Sequence, residues 1–260
     1  MHKIVTLTVS TVLLLPTGVL ADEHDQGWSY SIGAGAIYAP TFLGDDDYEA
    51  QAVPNFRVTY GDRFEASLGG VRYNALSGGP WRAGPVLSYD FGRDEDSGDT
   101  NDLLGLGDID GTIELGGFVA YEADRFSAKL EIRQGVDGGH DGITGEAEIA
   151  YRGTFNAFAR PAFFTVGPAV SFGDTTFNSA FFDVDAAQSA ASGISQFDAG
   201  GGINSYGLHA MAVVPLSDKT ALVGFVEYDQ LSGDVGGSSI VYERGSKAQT
   251  TAGIFITYSF

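Results

Sequence analysis

FSAKLEIR, residues 126–133, decides the fold. Phe126, Ala128, Leu130 and Ile132 alternate strictly with Ser127, Lys129, Glu131 and Arg133. Successive side chains of a strand point to opposite faces, so this spacing predicts a strand with one apolar and one charged side. The pattern recurs. In ITGEAEIAYR, residues 143–152, Ile143, Ala147, Ile149 and Tyr151 stand opposite Thr144, Glu146, Glu148 and Arg152. In residues 205–214, Tyr206, Leu208, Ala210, Ala212 and Val214 stand opposite Ser205, Gly207, His209, Met211 and Val213. Nothing comparable recurs at helical spacing, and the chain reads as all-β.

Turn residues divide the chain into about twelve strands, with ten as the alternative count. They lie near 27–39, 49–61, 63–74, 80–92, 112–122, 125–135, 143–153, 158–172, 175–183, 197–214, 219–230 and 247–260. A strand crosses the hydrocarbon at a tilt with ~9–11 residues. Composition suits such a structure: 37 Gly let strands bend and approach, and 18 Phe with 12 Tyr supply interfacial aromatics. After residue 21 no apolar run is long enough for a helical span. With no Cys, disulfides cannot hold an exported fold together. A formal charge of −20 excludes a phosphate-tracking surface, so nucleic acid is not a partner. The expected architecture is a closed antiparallel transmembrane β-barrel, with outer-membrane lipid against its apolar face.

Both ends fit an exported barrel. A short basic start, the uncharged run IVTLTVSTVLLL (4–15), Pro16 and the small-residue pattern ending at Ala21 read as a signal peptide over 1–21. That leaves 22–260 as a single outer-membrane barrel domain. The closing TTAGIFITYSF, residues 250–260, puts Ile254, Ile256, Tyr258 and Phe260 on one parity. It suits a strand that closes against the first one, with aromatics at its periplasmic end. Counting strands from a periplasmic start puts the long connection RDEDSGDTNDLLGLGDIDG (93–111) on the periplasmic side, where turns are normally short. Its Leu103, Leu104 and Leu106 are expected to bury in the barrel mouth or against a partner.

Chemistry-bearing residues are few. His140 and Asp141 in GGHDG read as turn residues, and His209 as a lumen-lining group. The acidic runs GDDDYE (44–49) and DEDSGDTND (94–102) read as solvated loops, the second lacking the spacing of an EF-hand. Gly33-Ala34-Gly35 and Gly105-Leu106-Gly107 lack the third glycine and following helix of a dinucleotide site. No catalytic, cofactor-binding or metal-ligating residue is assigned, and no cofactor is expected. Arg57, Glu65, Arg72, Lys129, Glu131, Arg133, Glu146 and Glu148 are expected to fill the lumen with paired charge.

Six blocks in order carry a resemblance to a known family: APTFLGDDDYEAQAVPNFRVTYGDRF (39–64), GPVLSYDFGRDED (84–96), LLGLGDIDGTIELGGFVAY (103–121), GGHDG (138–142), FFDVDAAQSAASGISQFDAGGG (181–202) and LSGDVGGSSIV (231–241). Together they resemble the MipA/OmpV family of outer-membrane proteins. The resemblance implies a scaffold that links the membrane to a periplasmic murein hydrolase (a lytic transglycosylase) and a murein synthase. A narrow channel or porin-like protein for small solutes is the alternative. A lipid-modifying barrel enzyme ranks below both, and the family supplies no catalytic residues to carry over.

Overall fold

The computed structural model describes residues 27–96 and 101–260; the expected signal peptide and His24 lie outside the described residues. Among the described residues, thirteen antiparallel strands form one sheet that closes on itself. They are β1 (Trp28–Pro40), β2 (Tyr48–Tyr60), β3 (Phe64–Ser67), β4 (Gly70–Tyr73), β5 (Leu76–Gly78), β6 (Trp81–Asp90), β7 (Thr112–Ala123), β8 (Phe126–Asp137), β9 (Ile143–Ala157), β10 (Arg160–Gly173), β11 (Gly202–Pro215), β12 (Thr220–Leu231) and β13 (Ala248–Ser259). Four short helices interrupt them: α1 (Thr175–Phe182), α2 (Ala186–Ser192), α3 (Gly233–Gly237) and α4 (Ser239–Arg244). β4 and β5 both pair with β6, Val71 opposite Leu87 and Leu76 opposite Ala83. They are two pieces of one broken strand, so the thirteen labelled strands make a twelve-strand barrel wall.

Closure is made by β13 against β1, in register from Ser31↔Ser259 to Tyr38↔Ala252. Ile254, Ile256 and Tyr258 project outward, while Phe255 is buried inside. The same alternation governs β8: Phe126, Leu130 and Ile132 are exposed on the outer face, and Lys129 and Glu131 are buried in the lumen. Aromatic pairs ring both ends of the wall. Trp28 meets Tyr60 with ring centroids at 5.1 Å, Trp81 meets Tyr121 at 4.7 Å and Phe126 meets Tyr151 at 5.6 Å, all beside the short turns. At the opposite end Tyr38 stacks on Tyr48 at 5.2 Å, and Tyr89 meets Phe91 at 5.1 Å. Two such girdles bracket the hydrocarbon of a bilayer.

The strand count is right for a partly wrong reason. Residues 63–74, expected as one strand, form the hairpin β3–β4, which turns at Leu68-Gly69 ahead of Gly70, whose φ is +110°. A positive φ there suits glycine and no other ordinary residue. Residues 175–183, expected as a strand, form α1 instead. Asp174 caps it by accepting from the Phe177 N–H at 2.8 Å, and Phe177 and Phe181, one helical turn apart, bury on one side. Phe-x-x-x-Phe satisfies period two and the helical repeat alike, so the two errors cancel in the total.

They do not cancel in the topology. An extra hairpin before residue 93 moves the 93–111 connection to the far end of the barrel. There it joins the loops 41–47, 138–142, 174–201 and 232–247, which carry all four helices, while the 61–63, 79–80, 124–125, 158–159 and 216–219 turns occupy the end of Trp28 and Ser259. The expected periplasmic placement of that loop is therefore corrected. Short turns face the periplasm and long loops face outward in such barrels. The β3–β4 hairpin is also short. It pairs with β2 only from Arg57 to Tyr60, so Tyr48–Phe56 of β2 have no ladder partner on that edge among the described residues. Pro54, which lacks an N–H to donate, stands on this free edge.

Two expectations follow. An epitope inserted after Ala191 should be reached by antibody on intact cells, and one inserted after Asp218 only after permeabilisation; the reverse would invert the barrel. Leu130→Arg, mid-strand on the lipid face, should cost roughly 2–4 kcal/mol in refolding titrations, and Ser127→Arg on the lumen parity clearly less.

Candidate functional site

The lumen divides into two walls. On one side, Ile37 of β1, Met211 and Val213 of β11, Val223 and Phe225 of β12 and Phe255 of β13 form a buried apolar cluster. Gly35 of β1 leaves room for the Phe255 ring, since a Cβ there would lie 2.5 Å from that ring. On the other side, β4 and β6 to β9 carry charge. Arg72 grips Glu131 through Nε at 3.2 Å and Nη2 at 3.0 Å, spanning the two intervening strands β6 and β7. Lys129 Nζ lies 3.4 Å and Arg133 Nε 3.7 Å from the same carboxylate. Arg57 pairs with Glu65 at 2.7 Å nearer the short-turn end. His209 Nε2 stands 3.1 Å from Asp229 Oδ2 on the neighbouring strand, a lumen position as expected.

Of the expected lumen charges, Arg72, Lys129 and Arg133 converge on Glu131, Arg57 and Glu65 pair apart from them, and Glu146 is buried and Glu148 half-buried on β9. Four participants were missed: Ser88, Asp90, Glu114 and Arg93. The first three lie on the inward parity of β6 and β7, where Leu87, Tyr89, Ile113 and Leu115 alternate onto the outer face. That alternation was a legible signal. Ser88 Oγ donates to Glu114 Oε2 at 2.9 Å, and Arg133 Nη1 lies 3.1 Å from the same oxygen. The Ser88 hydroxyl is therefore turned to a carboxylate and not to an imidazole.

Above these walls the loops form a cap. Leu103, Ile194 and Ile240, from three different connections, are 0% exposed and pack with Phe42, Leu106 and Val184. A second cluster joins Phe177, Phe181 and Phe182 to Leu231, Val235 and Val241. Polar ties cross between loops: Gln188 Nε2 donates to the Leu106 carbonyl at 2.6 Å, and Arg93 Nη1 to the Phe181 carbonyl at 2.6 Å. Burial draws the Arg93 guanidinium down to about 10, which leaves it charged at neutral pH. The acidic loops are not simply solvated. Glu95 Oε2 accepts from the N–H groups of Gly105 and Gly107 at 2.8 and 3.0 Å. Asp45 is buried, accepts from the Thr41 hydroxyl, and has its pKa raised chiefly by burial. His140, expected as a turn residue, is instead a buried side chain against the rings of Phe177 and Phe181.

The model of the family described as MltA-interacting protein MipA matches residues 32–260. The chain belongs to the MipA family. Its members are outer-membrane proteins, which agrees with the lipid-facing barrel. No curated protein sequence shows significant similarity to the chain. Among solved structures, the NanC porin is 9% identical with a TM-score of 0.43, covering 88% of this chain and 98% of that one. An anion-selective porin from Comamonas acidovorans is 13% identical with a TM-score of 0.32, covering 90% and 98%. The outer membrane protein OprG from Pseudomonas aeruginosa is 12% identical with a TM-score of 0.28, covering 90% and 97%. These are likenesses of barrel architecture.

Glu131→Gln should leave Arg72 and Lys129 adjacent without their shared carboxylate and cost about 3–5 kcal/mol. Arg160→Ala, which removes the exposed Arg160–Asp218 pair (2.8 Å), should cost less than about 1 kcal/mol. Urea refolding titrations of the two variants check the contrast.

Proposed function

We propose that this MipA-family barrel acts as an outer-membrane scaffold and not as a diffusion path. It would tie the membrane to a periplasmic murein hydrolase of the MltA kind and to a murein synthase. The observation that carries this reading is the filled upper lumen: Arg72, Lys129 and Glu131 on one wall and Met211, Phe225 and Phe255 on the other are buried, and the outer mouth lies under a packed cap. A solute path would leave such side chains wet. Wide water-filled channels are built from 16–18 strands.

The contact surface in this reading is the short-turn rim. It offers the exposed residues Arg63, Arg125 and Lys219 together with the half-buried Arg160. Long acidic loops face away from the murein and are not part of it.

Planar-bilayer recording on the purified barrel separates the scaffold from the narrow-channel alternative. The scaffold reading expects no discrete conductance steps; steady single-channel openings would favour the channel. In a paired capture assay with a purified lytic transglycosylase, the double variant Arg125→Glu, Lys219→Glu should weaken binding about tenfold or more. Unchanged capture would remove the rim from the account.

A further inference from the structure

Asp90, Glu114 and His140 come from β6, β7 and the β8–β9 loop, and each offers a ligand atom within 4.8 Å of the others. All three are buried. The His140 side chain is 0% exposed and Glu114's is 2% exposed. Neither ring nitrogen of His140 and not Oε1 of Glu114 has a hydrogen-bond partner. Buried polar atoms are nearly always satisfied, so the two orphans that face each other, His140 Nε2 and Glu114 Oε1, need a cause.

The orientation of each carboxylate supplies one. Glu114 has Oε2 held by Ser88 and Arg133, which leaves Oε1 free and 3.8 Å from His140 Nε2. Asp90 has Oδ1 held by the Gly92 N–H at 2.7 Å, which leaves its other oxygen free. The His140 backbone is anchored in turn, its N–H donating to Thr112 Oγ1 at 3.1 Å. One oxygen fixed and the other open is how outer hydrogen bonds orient metal ligands. A separation of 3.8 Å is too long for a hydrogen bond. It suits two donors of one ion bound at ~2.0–2.2 Å from each. The rings of Phe177 and Phe181, with centroids 5.1 and 5.8 Å from the imidazole, shut off the outer side.

We propose that Asp90, Glu114 and His140 form a structural site for a divalent transition cation such as Zn²⁺ or Mn²⁺. One imidazole and two carboxylates are a donor set for these ions, whereas Ca²⁺ takes six to eight oxygens. The ion would fasten the ends of β6 and β7 to the β8–β9 loop, beneath the α1 phenylalanines of the cap. Arg133 offsets only one of the two carboxylate charges, which favours a bound cation.

The test uses the full-length barrel, refolded in detergent with excess Zn²⁺ or Mn²⁺ and then dialysed. Metal content should reach about one ion per chain, with a raised unfolding temperature relative to protein refolded in chelator. His140→Asn should lose the ion and the thermal shift. Ser88→Ala, a mild change that keeps all three ligands, should weaken affinity about 10–100-fold. Asp46→Asn, in the exposed acidic run, should change nothing. Two results would overturn the site: wild-type protein that folds, as shown by heat-modifiable migration, yet retains no stoichiometric ion; or a bound ion that survives His140→Asn.

Discussion

Backbone hydrogen bonding is the constraint on which everything else here depends. Within hydrocarbon no water is present to satisfy an N–H or a C=O, so a sheet that crosses a bilayer must have no free edge at that depth. The β1–β13 ladder meets this demand at the seam, joining the first and last strands over eight residue pairs, and the Tyr48–Phe56 edge of β2, which carries Pro54, is the exception to it. Once the circuit is closed, every strand has an inside and an outside, and the period-two alternation of the sequence becomes a division between lumen and lipid. Leu130 faces lipid for the same reason that Lys129 and Glu131 face each other.

A barrel of this width would be open unless its interior were filled. The filling is of two kinds: an apolar wall built on β11 to β13 and β1, and a charged wall built on β4 and β6 to β9. Charges removed from water need partners at close range, and the convergence of Arg72, Lys129 and Arg133 on Glu131 supplies them. The cap finishes the work at the outer mouth, burying Leu103 and Leu106, which a solvated loop would not need. Closure of the wall, filling of the lumen and packing of the cap are three consequences of the same exclusion of water.

The strands were legible where alternation was strict, as in FSAKLEIR and ITGEAEIAYR, because a period of two has only one structural meaning at that length. The lumen network was legible to the same extent, since parity alone assigned Lys129, Glu131 and Arg133 to the inside. TTFNSAFF failed because two phenylalanines four apart satisfy both periods, and the deciding residue, Asp174, lies outside the apolar run. SLGG (67–70) misleads because Leu68 sits in the turn itself and carries the apolar run of Ala66 and Val71 across it. His140 could not be placed from sequence at all. Its burial is created by α1, an element distant in the chain, folding over the barrel mouth.

The chain has no native cysteine, which allows the closing ladder to be tested by crosslinking. Ala34 stands directly opposite Ile256 across the β1–β13 seam, on the lipid face, whereas Ile254 is displaced by two residues on the same face. Directly opposed positions are within reach of a disulfide, and the diagonal ones are not. The measurement is disulfide formation in the folded, heat-modifiable form of two double variants. The closed barrel requires a rapid intrachain crosslink for Ala34→Cys with Ile256→Cys, and little for Ala34→Cys with Ile254→Cys. An uncrosslinked first pair, crosslinking only between chains, or faster reaction of the displaced pair would contradict closure in this register.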